Sequence, residues 1–278
     1  MVAYLLDSIE LWIEDFGIDG LCLDAADGLD TGFLRSLRSF CDNLKPQFFL
    51  IGEVTQGDYN VRMNDTMLHS VTNFECYKDL CASFHALNLF LINRSLLRQF
   101  GPDNWSMYKG AHLLSFADNH QQSRIASLLD NENHLPLIYG MLFAMPGIPC
   151  IYYGSEWGIT DEENAASHTP TIDLSALSPQ WSALTDFIAR LAAVKKTSDA
   201  LNYGSFRSVL LTNRQCIFER KAEHERLLIA INADSAPFDA HFDAGCGFAE
   251  ELLTGTMHNF KGGSILPPCS VSYWKMQN

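Results

Sequence analysis

The sequence predicts an α/β chain with a parallel sheet, followed by a small all-β region. Three observations predict it. Short, continuously apolar runs alternate with stretches of helical periodicity over roughly the first two hundred residues. The two clearest runs are apolar throughout, as parallel strands buried on both faces require. Past about Ala200 the period shortens from 3.6 to 2 and turn-forming residues multiply.

Taken in order, residues 1–16 carry Val2, Leu5, Leu6, Ile9, Trp12, Ile13 and Phe16 at helical spacing, and Gly17 is the stop. An apolar run over 18–23 ends at Asp24. A second helix is predicted over 31–44, with Phe33, Leu34, Leu37, Phe40, Cys41 and Leu44 on one face and Pro46 ending it. Phe48-Phe49-Leu50-Ile51 is a second strand, closed by Gly52-Glu53. Strand, helix, strand makes a βαβ unit, whose crossover is expected to be right-handed. The alternation continues with a weaker strand over 67–73, a long helix over 79–100, a strand over 112–117, a helix over 135–145 and a fifth strand over 148–153. Ser178-Pro179 forms an N-cap and first-turn pair for a helix whose inward face is Leu184, Phe187, Ile188, Leu191 and Val194. In the terminal region, 209–211, 216–218, 227–231 and 271–276 are predicted strands.

Composition narrows the function. The chain has 278 residues, 47% hydrophobic and 19% charged, which fits a folded protein. Its formal net charge of −14, with no Lys/Arg cluster to reverse the sign locally, argues against nucleic acid or an anionic membrane as partner. No apolar run approaches the ~20 residues of a membrane span. Asp7, Glu10, Glu14 and Asp15 interrupt the apolar N-terminal stretch and no basic segment precedes it, so no signal peptide is expected. The eight cysteines lack C-x-x-C pairing or a fixed rhythm. They are expected to be reduced, mostly buried thiols in a reducing, cytoplasmic compartment, without a zinc site.

Asp24 and Glu53 lie 29 residues apart, each just past a predicted strand of one βαβ unit. Neighbouring strands are about 4.8 Å apart, so two such acids can hold carboxyl groups about 5 Å apart, the separation used by retaining glycosidases. Acids after strands also commonly cap the next helix, the role expected of Asp27 and Asp30. Spacing alone leaves the two readings open.

The flanking residues carry a resemblance. Residues 17–26, GIDGLCLDAA, closely resemble the fourth-strand motif of the α-amylase family, glycoside hydrolase family 13. Residues 49–54, FLIGEV, resemble its fifth-strand motif, and 115–121, SFADNHQ, its seventh. Residues 145–156, MPGIPCIYYGSE, are similar to its eighth-strand segment, and the terminal β-region is similar to its C-terminal sandwich. The resemblance implies a partial TIM-type (β/α) barrel, about strands four to eight, over residues 1–198, and a β-sandwich domain over 199–278. It implies Asp24 as nucleophile, Glu53 as general acid/base, and Asn119 and His120 as sugar-binding residues. Tyr152, Tyr153 and Trp157 are candidates for stacking on sugar or, more commonly for such aromatics, for packing.

Two positions depart from the family pattern. Cys22 stands where the family carries an Arg that would favour an ionised nucleophile, and is expected to fill a small buried space. Gln121 stands where the family carries an Asp that helps stabilise the transition state. Asp118 is expected to face away and not to substitute for it. The family's first three strands and its Asn-His sugar-binding motif are not found ahead of the fourth. Self-association or a partner chain supplying those strands is therefore an expectation, as is a truncated gene product.

The implied function is a retaining α-glucan or α-glucoside hydrolase, or transglycosylase, acting on oligo- or polysaccharide. It needs no organic cofactor; calcium is implied by the resemblance without a local signal. The alternative is a degenerate homologue with only a carbohydrate-binding or scaffolding role. A dinucleotide binder lacks the required G-x-G-x-x-G turn after any strand.

Overall fold

The computed structural model describes residues 1–161 and 183–277. The chain divides into two compact units, one of Met1–Phe74 with His112–Leu114, the other of Glu75–Ala111 with Ser115–Asn278.

The first unit opens with α1 (Val2–Phe16), which ends at Gly17 in the left-handed region, φ 63°, with the Gly17 N–H on the Ile13 carbonyl. Of its apolar stripe only Ile9 is buried, while Val2, Leu5, Trp12 and Phe16 are exposed. Next come β1 (Gly20–Leu23), α2 (Thr31–Leu44), β2 (Phe49–Gly52) and the two-residue β3 (Ser70–Val71). The three strands form one parallel sheet in the order β1-β2-β3. β3 is much shorter than the 67–73 run suggested. His69, one residue before it, takes the Leu50 N–H on Nδ1 at 3.0 Å, so a side chain replaces one rung of the ladder.

Asp30 caps α2, its Oδ1 accepting the Phe33 N–H at 2.9 Å. Asp27, expected to cap as well, instead accepts from the Thr55 hydroxyl at 2.9 Å. Leu34, Leu37 and Cys41, at the i, i+3, i+7 spacing of a helix face, are fully buried. After α2, Lys45 donates to the carbonyls of Gly17 at 3.1 Å and Ile18 at 2.8 Å, tying the helix end to the start of β1. Leu114 joins this unit by accepting the Asn73 N–H at 2.8 Å.

The second unit contains all but the first residue of α3 (Phe74–His85) and of β4 (Leu114–Phe116), together with α4 (Phe90–Phe100), α5 (Leu135–Ala144), β5 (Ile148–Cys150), α6 (Ala183–Thr197) and α7 (Asp199–Tyr203). The single helix expected over 79–100 is two. Leu87 takes a left-handed conformation, φ 48°, and Ser83 accepts the Asn88 N–H on its carbonyl and the Ile92 N–H on its hydroxyl. These contacts satisfy the orphan amides of a new helix start, a tertiary choice that apolar spacing does not register. β4 pairs with β5, which ends at Cys150, before the predicted 153. Ser178 and Pro179 lie outside the described residues; α6 places Ile188 and Leu191 in the core.

Eight strands follow, not the four that period-2 runs revealed. β6 (Ser205–Leu211), β7 (Gln215–Lys221), β8 (Arg226–Asn232), β10 (Phe248–Glu251), β11 (Thr256–Asn259) and β13 (Ser270–Met276) form one antiparallel sheet, ordered β11-β10-β13-β8-β7-β6. β9 (Phe238–His241) and β12 (Gly263–Leu266) pair separately. Ile217, Leu228, Ala230, Ala240, Leu266 and Trp274 share one apolar core. The missed strands are four residues each, too short to carry a decisive alternation.

Tyr273 donates its hydroxyl to the Gly140 carbonyl at 2.5 Å, linking β13 to α5. Two buried cations sit close to the end of the same helix. Arg220 donates to the Ala144 carbonyl at 2.7 Å, and Lys195 to the carbonyls of Met145 at 3.3 Å and Leu201 at 2.9 Å. Carboxyl-terminal helix carbonyls carry partial negative charge, which suits a cation there. No membrane-length apolar helix occurs among the described residues.

Candidate active site

Parallel register places Asp24 and Glu53 side by side. Leu23 is paired with Gly52, the Glu53 N–H donates to the Leu23 carbonyl at 2.8 Å, and the next residue of each strand is an acid. The two carboxylates approach to within 4.8 Å. Asp24 is exposed; Glu53 is 5% exposed and accepts the Ala25 N–H on Oε2 at 3.2 Å. A buried carboxylate that takes a backbone N–H beside an exposed one is an asymmetric pair, able to divide acid and nucleophile roles.

Gly52 makes the approach possible. A Cβ there would meet Leu68 Cδ1 at 2.4 Å and the Ala26 Cβ at 2.7 Å, so only hydrogen leaves room for Ala26 to pack over the end of β2. Ala26 is fully buried and its N–H donates to the Glu53 carbonyl at 2.8 Å.

Cys22 lies two residues before Asp24 and therefore on the same face of β1. The expectation that it fills a buried space is not met, because its side chain is exposed. Neighbouring atoms still desolvate the sulfur, and this, with the negative charges of Glu53 and Asp24, pushes the thiol up. It stays a neutral S–H and supplies no positive charge to Asp24. The cysteines as a set are also less buried than expected: Cys41, Cys76 and Cys216 are buried, four are half-buried, and none of the eight is in a disulfide.

Within the second unit, Asn119, His120 and Gln121 follow β4. Asn119 is half-buried and its Oδ1 accepts the Gln121 N–H at 2.9 Å, while His120 and Gln121 are exposed. His120 is thus not a core histidine. Asp118 is 2% exposed and accepts from the Ser155 hydroxyl at 2.8–2.9 Å and the Ile125 N–H at 3.0 Å. Burial raises its pKa against those hydrogen bonds. It is a buried acid held by the Ser155 hydroxyl and the Ile125 N–H.

The aromatics of the eighth-strand segment are partly committed to packing. Arg124, 3% exposed, places its guanidinium 4.3 Å from the centre of the Tyr152 ring and donates to the Tyr153 carbonyl at 2.8 Å. Trp157 is half-buried.

A sequence model of the α-amylase catalytic domain matches residues 1–200. The chain belongs to the α-amylase family. Within that family it is 27% identical over 241 residues to a cyclomaltodextrinase of Thermoanaerobacter pseudethanolicus, covering 84% of this chain and 40% of that protein. It is 27% identical over 281 residues to a cyclomaltodextrin glucanotransferase of Niallia circulans, covering 95% of this chain and 36% of that one. This member of the family thus spans about two fifths of the length of those curated relatives. Its fold matches that of an Anoxybacillus α-amylase with a TM-score of 0.79 at 24% identity, over 99% of this chain and 62% of that one. It also matches a three-domain cyclomaltodextrin glucanotransferase at 0.83 and 24%, over 98% and 59%. These structural likenesses concern fold alone.

Within the α-amylase frame, Cys22, Asp24 and Glu53 are brought together at two adjacent strand ends, and Asn119, His120 and Gln121 are contiguous in the other unit. Sequence reasoning missed three participants of the first unit: Ala25, at φ 45° and ψ 41°; Thr55, on the Asp27 carboxylate; and Arg62, on the carbonyls of Ala26 and Asp27. No local signal marks them, since each acts across 28 to 36 residues.

Proposed function

We propose that this chain carries the nucleophile and the acid/base of a retaining glycosidase or transglycosylase acting on α-linked glucose oligomers, open or cyclic. The observation that carries the reading is the carboxylate pair, Asp24 and Glu53 within 4.8 Å at the ends of register-matched parallel strands. Retaining enzymes hold their two carboxyl groups about 5–5.5 Å apart, whereas inverting enzymes need about 6.5–9.5 Å to admit water. The names of the curated relatives support cyclic maltodextrins as a substrate class.

In this reading Asp24 attacks the anomeric carbon as Glu53 gives its proton to the leaving oxygen. The glycosidic C–O bond breaks, and a glycosyl ester forms on Asp24. Glu53, now a carboxylate, takes a proton from water or from an acceptor sugar hydroxyl, which attacks the same carbon and frees Asp24. The asymmetry of burial suits these roles. Asp24 is exposed and reachable, while Glu53 is buried beside it.

Asn119 and His120 are assigned to sugar hydroxyls, and Gln121 to a hydrogen bond without charge. Cys22 leaves Asp24 without the guanidinium partner of the family pattern. Loss of one such preorganised contact typically costs about 10²–10³ in rate, so slow turnover is part of the proposal. Residues 1–198 are taken as the barrel portion and 199–278 as a separate β-domain.

Hydrolysis of an activated aryl α-glucoside tests the reading. Turnover is expected from the chain and none from Glu53→Gln, with fold retained by circular dichroism. Equal turnover by both proteins would sink the assignment.

A further inference from the structure

The turn that begins directly after Asp24 is held in a conformation it would not choose alone. Ala25 lies at φ 45°, ψ 41°, a left-handed backbone that residues with a Cβ seldom adopt. Two restraints come from the Glu53 residue: its side chain takes the Ala25 N–H at 3.2 Å and its carbonyl takes the Ala26 N–H at 2.8 Å. A third is the Asp27 carboxylate, which accepts the Thr55 hydroxyl at 2.9 Å and the Thr55 N–H at 3.3 Å. The fourth is Arg62. Its Nε donates to the Ala26 carbonyl at 2.9 Å and its Nη2 to the Asp27 carbonyl.

Arg62 is itself well anchored. Its N–H donates to the Tyr59 carbonyl at 3.1 Å, its own carbonyl accepts the Leu68 N–H at 3.0 Å, and Tyr59 and Leu68 are both buried. The guanidinium presents Nε and Nη2 as a rigid planar fork, and here these two donors take two successive carbonyls at once. The fork ties residues 26 and 27 to a loop that otherwise belongs with β3, and so fixes the backbone two and three residues beyond Asp24.

We propose that Arg62 is a positioning residue for the Asp24–Glu53 pair: by gripping the carbonyls of Ala26 and Asp27 it holds the turn that sets the two carboxylates against each other. This rests on the glycosidase reading above for its catalytic meaning, and on the hydrogen bonds alone for its structural content. Nothing in the α-amylase resemblance assigns a role to this position.

Two readouts test it on Arg62→Met and Arg62→Lys. The first is steady-state hydrolysis of the aryl α-glucoside. Displacements near 1 Å at a reacting pair cost about 10²-fold. Arg62→Met is therefore expected to lose about 10- to 100-fold in kcat with KM changed less than about twofold, and Arg62→Lys to recover part of the loss. The second is hydrogen exchange of backbone amides by mass spectrometry. In Arg62→Met the segment 24–28 should exchange at least about tenfold faster while 49–52 keeps its protection, as expected for local opening.

Wild-type exchange at 24–28 in Arg62→Met overturns the proposal, as does equal acceleration over both segments, which marks general loosening. A loss that appears only in KM overturns it too. If the unmodified chain shows no turnover, the glycosidase reading falls, and the exchange measurement still decides whether Arg62 holds the turn. Should Arg62→Met fail to fold, Arg62→Lys gives the same readouts at smaller size, and wild-type values in both would overturn it.

Discussion

Gly52 and Ala26 come so close that a Cβ on Gly52 would lie 2.7 Å from the Ala26 Cβ. This contact sets the turn after β1 against the end of β2, one residue from Glu53 and two from Asp24. It also makes Gly52 intolerant of any side chain.

Gly52→Ala is expected to destabilise the chain by about 1–3 kcal/mol, the usual cost of overpacking a filled site. Leu68 and Ala26 are 1% and 0% exposed, so neither can swing into solvent. Chemical denaturation would measure the loss, and a variant as stable as the parent would show that the turn after β1 moves freely.

Lys195 supplies a prediction with a definite pH sign. The side chain is buried with no acid partner among the described residues, and burial, aided by Arg220, lowers its pKa from 10.5 to about 7. Below about pH 7 both folded and unfolded chains carry the proton. Between about 7 and 10.5 the unfolded chain binds more, so this residue's contribution to stability rises with pH through that window. Lys195→Met should abolish that rise. Denaturation curves at pH 7 and pH 9 for both proteins measure it; a parallel pH response in the variant would count against the assignment.

Glu225 carries the opposite sign. Burial opposes its ionisation, but the Ser198 hydroxyl at 2.6 Å, the Ala200 N–H at 2.8 Å and Lys275 at 3.1 Å outweigh it, and the pKa is lowered. Its stabilisation is complete above the unfolded value of about 4.3 and is lost as pH falls through the folded one. Glu225→Gln should be less stable at pH 7, by about 1–2 kcal/mol, and should lose less stability on going to pH 3. Thermal midpoints at the two pH values test this, and equal acid sensitivity in both proteins would refute it.

Much of the first unit is readable along the chain. The apolar spacing of α2, its Asp30 cap, the stops at Gly17 and Pro46, and the acids ending two short apolar runs are all local signals, and helix and strand periodicities report them directly. The family motifs are equally local, which is why the resemblance and the family match agree. Other features were not readable. The break at Leu87 depends on Ser83 receiving two amides, and the four-residue strands β9 to β12 exist through pairing with one another and, for β10, with β13.

By itself, the sequence determined which residues could form elements, where Asp24 and Glu53 fall at element ends, and which family the motifs belong to. The tertiary structure alone decided that the register brings those acids to within 4.8 Å, that Cys22 is exposed, that Asp27 serves Thr55 rather than a helix, and that Arg62 grips the turn. The physical reason is range. Periodicity and capping are set within a few residues, whereas strand register and side-chain clamps join atoms whose residues lie about thirty positions apart, and their geometry exists only once the sheet has formed.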